Sequence, residues 1–200
     1  MDPKAIPKCE LRLRNAQRAL NGMAEATRFM DFADHWSAFL SAWKGIYTAL
    51  EQGAKVSPQS RQWFGGKKAE RIRDPLLQYL FEARNADEHG LEPPIEEGYE
   101  GPLVAIKDLG DPNAKIRMQH RTVNGKFEMR FIDSDGNPIE PVREGTSMGV
   151  LATVSARGGR EYGPPIRHLD QLLDDISALG AAKAGMQYAI GLVEEARQRS

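Results

Sequence analysis

Apolar residues recur every three or four positions near the start of the chain, which is the period of amphipathic α-helices. The pattern predicts a first helix over residues 6–26 and a second helix from Thr27 to about Gln52. The second helix carries the strongest apolar stripe of the chain: Phe29, Phe32, Trp36, Phe39, Leu40, Trp43, Ile46, Tyr47 and Leu50. Because this stripe is wide and rich in aromatic rings, we expect it to form the core of a helical bundle.

Proline and glycine divide the residues that follow the second helix. Ser57 and Pro58 suit the N-cap and first turn of a short segment that extends through Phe64. Gly65 and Gly66 come next and are expected to break the chain, because glycine is a poor helix former. We therefore predict a short connecting segment here rather than a full helix.

A helix with clear capping residues at both ends is predicted from Asp74 to Gly90. Asp74 is a preferred N-cap, Pro75 suits the first helical turn, and Gly90 suits a left-handed C-cap. Arg84 falls on the same face as the apolar residues Leu77, Leu80 and Phe81. Because an unpaired buried charge is costly, we expect Arg84 either to meet an anion or to line a cleft.

The middle of the chain has the pattern of β-structure. A run rich in proline, glycine and acid follows Gly90 and is interpreted as an extended surface segment or linker. Residues 115–123 and 126–132 alternate apolar and polar side chains around Asn124-Gly125, which predicts a β-hairpin with a type I′ turn. A turn over residues 133–138 and a third strand from Val150 to Ser155 are predicted after it.

The helical period returns from about His168 to Arg199. The whole pattern predicts a mainly α protein, a helical bundle of about four main helices with a small antiparallel β insertion before the last helix. We expect a single domain over residues 1–200, with the bundle formed by 6–90 and 168–199 and the insertion by about 101–165. Since an isolated hairpin is marginally stable in water, the insertion is expected to pack on the helices.

Composition narrows the range of functions. The chain has 200 residues and a formal net charge of −1, so it lacks the strong positive charge of many nucleic-acid binders. Cys9 is the single cysteine, and the four histidines do not have metal-ligand spacing, so we expect no disulfide, no metal and no cofactor. There is no apolar run of the roughly 20 residues that span a bilayer, and a cytoplasmic protein without membrane association is expected.

The chemistry-bearing residues of the chain gather at the end of the helix over 74–90. Arg84, Asn85 and His89 lie on neighbouring faces of that helix. An arginine can grip a phosphodiester and stabilise its developing charge, and a histidine can take a proton from a ribose 2′-hydroxyl or give one to the leaving oxygen. The asparagine can orient either the histidine or the substrate. These residues suit RNA cleavage that needs no metal.

The same residues also have a structural interpretation. His89 can interact favourably with the C-terminal end of the helix dipole. Arg84 can pair with a buried acid of the second helix, such as Asp31 or Asp34. Asp87 and Glu88 lie between Arg84 and His89 and are unfavourable to a polyanion.

A local concentration of positive charge precedes this helix. Residues 1–90 carry 14 Lys and Arg against 11 Asp and Glu, whereas residues 91–166 carry 9 against 12. Lys67, Lys68 and Arg71 are the candidates for substrate binding in this basic stretch, with Arg73 beside them. The stretch is either a solvated helix face or a patch that faces phosphate groups.

Residues 84–89 have the form R-N-x-x-x-H, which resembles the arginine–histidine motif of the HEPN superfamily of helical bundles. The second helix, with H-W-S-A-F-L-S-A-W-K-G-I-Y, also resembles a form found in bacterial HEPN-like proteins of unknown function. The resemblance covers about residues 6–90 and extends to the last helix, and the β segment lies outside it. It implies a homodimer in which two copies of the motif line one cleft, with Arg84 stabilising the phosphate and His89 acting as acid or base.

Two functions lead at this point, ahead of a third, which is the binding of a small molecule or nucleotide. The first is a HEPN-like protein that binds RNA or cleaves it without a metal, acting as a homodimer. The alternative is a non-catalytic protein-interaction or regulatory module in which Arg84 and His89 are structural. The first two differ in the surroundings of the motif. An open cleft with a positive rim, faced by Arg84 and His89 of two protomers, favours the first. Burial of Arg84 in a salt bridge with an acid of its own chain favours the second.

Overall fold

The computed structural model describes residues 1–90, 93–98, 102–106, 117–123, 126–132, 137–139, 141–146, 149–156 and 158–200. For His89 and for most of residues 102–146 the description covers the backbone alone. The described residues form five helices: α1 (Ala5–Glu25), α2 (Phe29–Ala54), α3 (Pro58–Arg73), α4 (Pro75–His89) and α5 (Ala178–Arg197). They also form eleven short strands: β1 (Ile95–Glu97), β2 (Pro102–Ile106), β3 (Arg117–Val123), β4 (Lys126–Ile132), β5 (Pro138–Ile139), β6 (Pro141–Thr146), β7 (Gly149–Leu151), β8 (Val154–Ser155), β9 (Glu161–Tyr162), β10 (Arg167–His168) and β11 (Gln171–Leu172).

The chain divides into two compact units. The helical unit consists of Met1–Glu100 and Ser147–Ser200, and the strand unit consists of Gly101–Thr146. The predicted fold class, mainly helical with small antiparallel strand pairs before the last helix, is confirmed. The strand unit lies within the predicted insertion of 101–165, whereas residues 147–165 belong to the helical unit. The prediction of a single domain stays a prediction.

Helix α2 forms the centre of the helical unit. Its predicted stripe is confirmed as core, because Trp36, Phe39 and Trp43 are almost fully buried. Helix α1 runs antiparallel along α2, and glycines keep the two close. Built Cβ atoms at Gly22 and Gly53 would lie 2.4 and 2.5 Å from the nearest side-chain atoms of the facing helix. The two glycines therefore make room for side chains of the facing helix, His35 at Gly22 and Ala5 at Gly53.

Helix α5 closes the core against α2 and α4. Trp43 Nε1 donates to the carbonyl of Gly185 at 2.9 Å. A Cβ at Gly185 would lie 2.4 Å from Leu80 Cδ1, and Leu80 is fully buried. The close helix contact at this glycine follows from the absence of a side chain.

Replacing Gly185 by alanine is expected to destabilise the helical unit. The added methyl overpacks a site without free space, which typically costs about 1–3 kcal/mol and outweighs the helix-propensity gain of about 1 kcal/mol. Gly191→Ala in the same helix is the matched control, because a Cβ there meets no atom within 4 Å. Thermal unfolding followed by circular dichroism should show a lower Tm for Gly185→Ala and a slightly higher one for Gly191→Ala. Equal shifts of the two variants would contradict the packing described.

Helix α3 corrects the prediction of a short segment. It runs without a break from Pro58 to Arg73, through Gly65 and Gly66. Each glycine costs a helix only about 1 kcal/mol relative to alanine. The buried side chains of Phe64 and Arg71 lie on either side of the glycines and hold both halves of the helix against the core.

Helix α4 begins as predicted but ends differently. The side chain of Asp74 accepts a hydrogen bond from the backbone N–H of Leu77 at 2.8 Å, which confirms the N-cap. Gly90 is not left-handed: its φ of −88° and ψ of 170° are extended. Its N–H donates to the Ala86 carbonyl at 2.6 Å, and a Cβ at Gly90 would lie 2.5 Å from that same oxygen. Gly90 is thus needed because a side chain would collide with the Ala86 carbonyl, and not because the backbone has a positive φ here.

The last helix begins ten residues later than predicted, at Ala178. Residues 167–172 form a tight pair of strands, β10 and β11, whose turn contains Leu169 and Asp170 with φ of 47° and 62°. Leu169 and Leu172 are exposed there, so their helical spacing does not correspond to a buried face. Helix α5 begins where Ser177 accepts a hydrogen bond from the N–H of Gly180.

Short strand pairs cover α4 within the helical unit. The predicted strand Val150–Ser155 is divided, because β7 pairs with β1 and β8 pairs with β9. The segment interpreted as a linker contains β1, whose Ile95 is buried. Tyr79 of α4 donates its hydroxyl hydrogen to the Ala152 carbonyl at 2.7 Å, so the helix and these strands are joined directly.

The strand unit contains the predicted hairpin. Strands β3 and β4 pair from Arg117 with Ile132 to Val123 with Lys126, in the register expected around Asn124-Gly125. Strand β5 extends this sheet, and β2 pairs with β6 in a sheet of its own. The predicted turn residues 124–125 and most of the predicted turn 133–138 lie outside the described residues.

Candidate functional site

Helix α4 carries the three residues of the predicted catalytic set. Arg84 and Asn85 are half-buried residues inside the helix, and His89 is its last residue. Five residues of an α-helix span about 7.5 Å along the axis. The side chain of His89 lies outside the described part of the chain, so its position relative to Arg84 stays a prediction.

Arg84 lines a cleft of about 340 Å³ between α1, α2 and α4, which we call the cationic cleft. Its described lining residues are Lys8, Arg12, Ser41, Lys44, Gly45, Thr48 and Arg84. Four of the seven are cations, two carry hydroxyl groups, and none is acidic. Like charges repel, so four cations around one opening favour the binding of an anion there.

The cleft follows from how α1 and α2 face each other. Lys8 and Arg12 are four residues apart and share one face of α1. Ser41, Lys44 and Thr48 form the matching polar face of α2. The side chain of Arg12 crosses α2 at Gly45, where a Cβ would lie 3.1 Å from both Arg12 Cδ and Nε. The small residue therefore lets the guanidinium lie beside the cleft.

Arg84 makes an ion pair with Glu88, one turn further along α4. The Arg84 side chain is 19% exposed and that of Glu88 is 44% exposed. The acid paired with Arg84 is therefore on its own helix, rather than Asp31 or Asp34 of α2; Asp31 pairs with Arg28 instead. Pairs of this spacing near the surface contribute only about 0.3–0.5 kcal/mol, so a bound anion can compete with Glu88 for the guanidinium.

Asn85 connects the cleft to a neighbouring carboxylate. Its Oδ1 accepts a hydrogen bond from Lys44 Nζ at 2.5 Å, and its Nδ2 donates to Glu82 Oε2 at 2.9 Å. Lys44 Nζ also lies 4.8 Å from the centroid of the Phe81 ring. Asn85 thus positions a lysine of the cleft, and its predicted contact with His89 or with substrate stays a prediction.

The pKa of Lys44 reflects both its burial and the positive charge around it in the cleft. Burial lowers this pKa below its ordinary value, the nearby positive charge of Arg84 lowers it further, and Glu82 partly offsets these effects. An anion in the cleft would oppose both causes of the shift, because it would neutralise the repulsion and accept hydrogen bonds from the ammonium group. The protonated form of Lys44 and a bound anion therefore stabilise each other.

The three basic residues predicted to bind substrate lie apart from the cleft lining. Lys67 pairs with Glu195 at 2.8 Å, and Lys68 lies 3.8 Å from Glu51. Arg71 is only 6% exposed, its guanidinium lies 3.7 Å from the centroid of the Phe81 ring, and burial lowers its pKa. The structure does not bring these three together on one open face.

The spacing of polar residues in α1 and α2 already indicated the two faces that form the cleft, although the apolar stripes of these helices are the more prominent pattern. The polar residues of α2 at positions 41, 44 and 48 repeat with helical spacing, as do Lys8 and Arg12 in α1. Each set alone is typical of a solvated helix face. Only the packing of α1 on α2 brings the two sets to one opening.

The described residues contain no group of three or more His, Cys, Asp or Glu side chains placed to hold a metal ion. Among those same residues, no helix has the length and apolar character needed to cross a membrane.

Comparisons with protein-family models, with curated proteins and with solved structures give no match for this chain. The resemblance to the HEPN superfamily therefore rests on the residues from Arg84 to His89 and on the sequence of the second helix. It stays a prediction.

Proposed function

We propose that this protein binds RNA through its phosphate backbone at the cationic cleft and cleaves it without a metal, acting as a homodimer. The observation that supports binding is the cleft itself: Lys8, Arg12, Lys44 and Arg84 surround one opening whose described lining residues include no acid. Cations clustered in this way are the electrostatic footprint of a protein that contacts phosphates.

A phosphate group suits this cleft better than a carboxylate. Arg84 can bind two phosphate oxygens at once through its planar guanidinium, and Lys44 supplies a point charge beside it. The hydroxyl groups of Ser41 and Thr48 can donate to the remaining oxygens. The positive charge of four cations exceeds the single negative charge of a carboxylate. It matches the combined negative charge of several consecutive phosphodiesters in a strand.

The proposed cleavage uses the 2′-hydroxyl of RNA as the nucleophile. His89 takes the 2′-hydroxyl proton while the 2′-oxygen forms a bond to phosphorus and the bond from phosphorus to the 5′-oxygen breaks. The 5′-oxygen leaves with a proton given by the protonated His89 of a second copy. The products are a 2′,3′-cyclic phosphate and a 5′-hydroxyl. Arg84 stabilises the negative charge that develops on the phosphate oxygens.

A second function is favoured by the ion pair between Arg84 and Glu88. If that pair and the link from Asn85 to Lys44 serve only to hold α4 on α2, the motif is structural. The protein is then a non-catalytic interaction module. The two proposals differ in the effect of releasing Arg84 from Glu88.

Cleavage of RNA in the presence of EDTA distinguishes the two. The native protein should cleave, Arg84→Ala should be slower by about 10²–10³-fold, and His89→Ala by about 10²–10⁴-fold, with all variants folded. Glu88→Gln is the matched control, because it removes the competing acid and leaves the guanidinium in place. It should retain or increase RNA binding.

The opposite pattern would favour the interaction module. In that case the native protein cleaves none of a varied set of RNAs, and Glu88→Gln and Arg84→Ala lower the free energy of unfolding by similar amounts without changing RNA binding. Both results come from the same set of variants.

A further inference from the structure

A second opening, of about 870 Å³, lies within the helical unit between the end of α4 and the β8–β9 pair. Glu82, Asn85 and Gly90 line it from α4, and Ser155, Arg160 and Tyr162 line it from the strands and their turn. We call it the α4 groove. Its volume is within the range of about 300–1,000 Å³ that is usual for small-molecule sites.

One wall of the α4 groove contains a cation–π pair, formed by a guanidinium and a tyrosine ring. The guanidinium carbon of Arg160 lies 5.2 Å from the centroid of the Tyr162 ring. Tyr162 is held in place by strand pairing with Val154 and by a hydrogen bond from Gln78 Nε2 to its hydroxyl at 3.3 Å. Arg160 follows the positive-φ residues Gly158 and Gly159, and its carbonyl accepts from the N–H of Ala156 at 2.8 Å. The backbone of Arg160 is therefore tied to that of Ala156.

The facing wall carries groups that form hydrogen bonds. Glu82 accepts from Gln78 Nε2 and from Asn85 Nδ2, both at 2.9 Å, which fixes its carboxylate. Each carboxylate oxygen has capacity for a further donor. An exocyclic amino group or ring N–H of a nucleobase is such a donor.

Asn85 joins the α4 groove to the cationic cleft. It lines the groove, and its Oδ1 accepts from Lys44 Nζ in the cleft. Arg84, the preceding residue of α4, lines the cleft. A phosphate in the cleft and a planar group in the groove would thus lie on two sides of the same short stretch of helix.

We propose that the α4 groove is a nucleobase site for an unpaired base, so that the RNA bound by this protein is single-stranded. This inference rests on the proposed RNA binding at the cleft. Unpaired bases stack on arginine planes and aromatic rings and offer their edges for hydrogen bonds, whereas the bases of a duplex are already stacked and paired. Arg160 and Tyr162 supply the planar groups on which a base can stack, and Glu82 supplies an acceptor.

The test is the affinity of the His89→Ala protein for three fluorescent probes of equal length: a single-stranded RNA, a blunt RNA duplex, and an abasic ribose-phosphate strand. Arg160→Lys keeps the charge of residue 160 and removes the planar group. It should weaken binding of the single strand by about fivefold or more, since stacking of one base changes affinity by at least that factor. It should leave the other two probes unchanged. Arg199→Lys is the control, because Arg199 lies over another ring, Trp63, at 5.8 Å and does not line the groove.

Tighter binding of the single strand than of the duplex, with a loss specific to Arg160→Lys, supports the nucleobase site. An unchanged affinity in Arg160→Lys, or equal binding of all three probes, overturns it. The proposed function survives that result if Lys44→Glu still weakens binding. If none of the probes binds to the protein, the nucleobase site and the proposed RNA binding are both overturned.

Discussion

Lys44→Glu is expected to weaken RNA binding by about 10- to 100-fold, because a hydrogen bond to a charged group contributes about 1.5–3 kcal/mol and each 1.4 kcal/mol is a factor of ten. Lys44 lines the cleft, and its Nζ is held by a hydrogen bond to Asn85. The substitution also places a carboxylate where the proposal requires a phosphate. Fluorescence anisotropy with a single-stranded RNA measures the loss.

The dependence of affinity on salt separates a direct contact from a general effect of charge. Lys183→Glu is the matched control, since Lys183 is an exposed residue of α5 outside the cleft lining and the change in net charge is the same. Lys44→Gln should reduce the slope of log affinity against log salt by about 0.7, the value for one phosphate contact on a single strand. Equal losses in Lys44→Glu and Lys183→Glu would show that the cleft has no special part in binding.

The affinity of the native protein for RNA should also begin to fall at a lower pH than it would if Lys44 had the pKa of an ordinary lysine. Burial and Arg84 lower the pKa of Lys44 in the free protein, so this ammonium loses its proton at a lower pH. Because the bound phosphate favours the charged form, affinity falls as the pH rises through that lowered pKa. Lys44→Gln should remove this part of the pH dependence.

Asp74→Ala is expected to lower the free energy of unfolding by about 1.5–5 kcal/mol. Loss of an N-cap costs about 0.5–2 kcal/mol, and a buried donor left without an acceptor costs about 1–3 kcal/mol more. The Asp74 side chain is only 4% exposed. It accepts hydrogen bonds from the backbone N–H of Leu77 at 2.8 Å and from that of Leu169 at 2.7 Å. Its Oδ1 also lies 3.1 Å from His168 Nδ1. One carboxylate thus caps a helix and fastens the β10–β11 turn to it.

Ser57→Ala is the control for the cap alone. Ser57 caps α3 by accepting from the N–H of Ser60, and both residues belong to the same local turn. Thermal and urea unfolding should show a much smaller loss for Ser57→Ala than for Asp74→Ala, and an intermediate loss for Asp74→Asn, which keeps a capping oxygen. Similar losses of unfolding free energy for the two alanine variants would mean that the contact between Asp74 and the β10–β11 turn adds nothing to stability.

The stabilisation by Asp74 should depend on pH with a definite sign. Burial alone would raise the pKa of Asp74, but the hydrogen bonds from His168 and from the N–H groups of Leu169 and Leu77 lower it below its ordinary value overall. A carboxyl whose folded-state pKa is lowered contributes stability above its unfolded pKa of about 3.9 and loses it as the pH falls through the folded value. The difference in stability between the native protein and Asp74→Ala should therefore shrink below about pH 4.

Interactions between residues close in the chain were predicted well from the sequence. The N-cap at Asp74 needs a carboxylate and an N–H three residues later, and the β3–β4 hairpin needs two alternating strands around Asn124-Gly125. The aromatic stripe of α2 is core for a similar reason, since its spacing places every large ring on one face. These features are determined by local geometry, and local geometry is present in the sequence.

The errors occurred where packing outweighs a local preference. Gly65 and Gly66 favour a break, yet the burial of residues on both sides keeps α3 continuous. The apolar residues from Leu169 to Leu173 have a helical period, yet the bond from the Leu169 N–H to Asp74 holds them in a turn. In both places the deciding contact comes from elsewhere in the chain.

By itself the sequence determined the mainly helical fold, the position of the β-structure before the last helix, and the helix that carries Arg84, Asn85 and His89. Only the tertiary structure decided that Arg84 lies beside Lys8, Arg12 and Lys44. Lys44 and Asn85 are 41 positions apart, and no local pattern specifies which faces of two amphipathic helices meet. That choice depends on close approach at Gly45 and on the burial of neighbouring apolar faces, which are properties of the packed bundle.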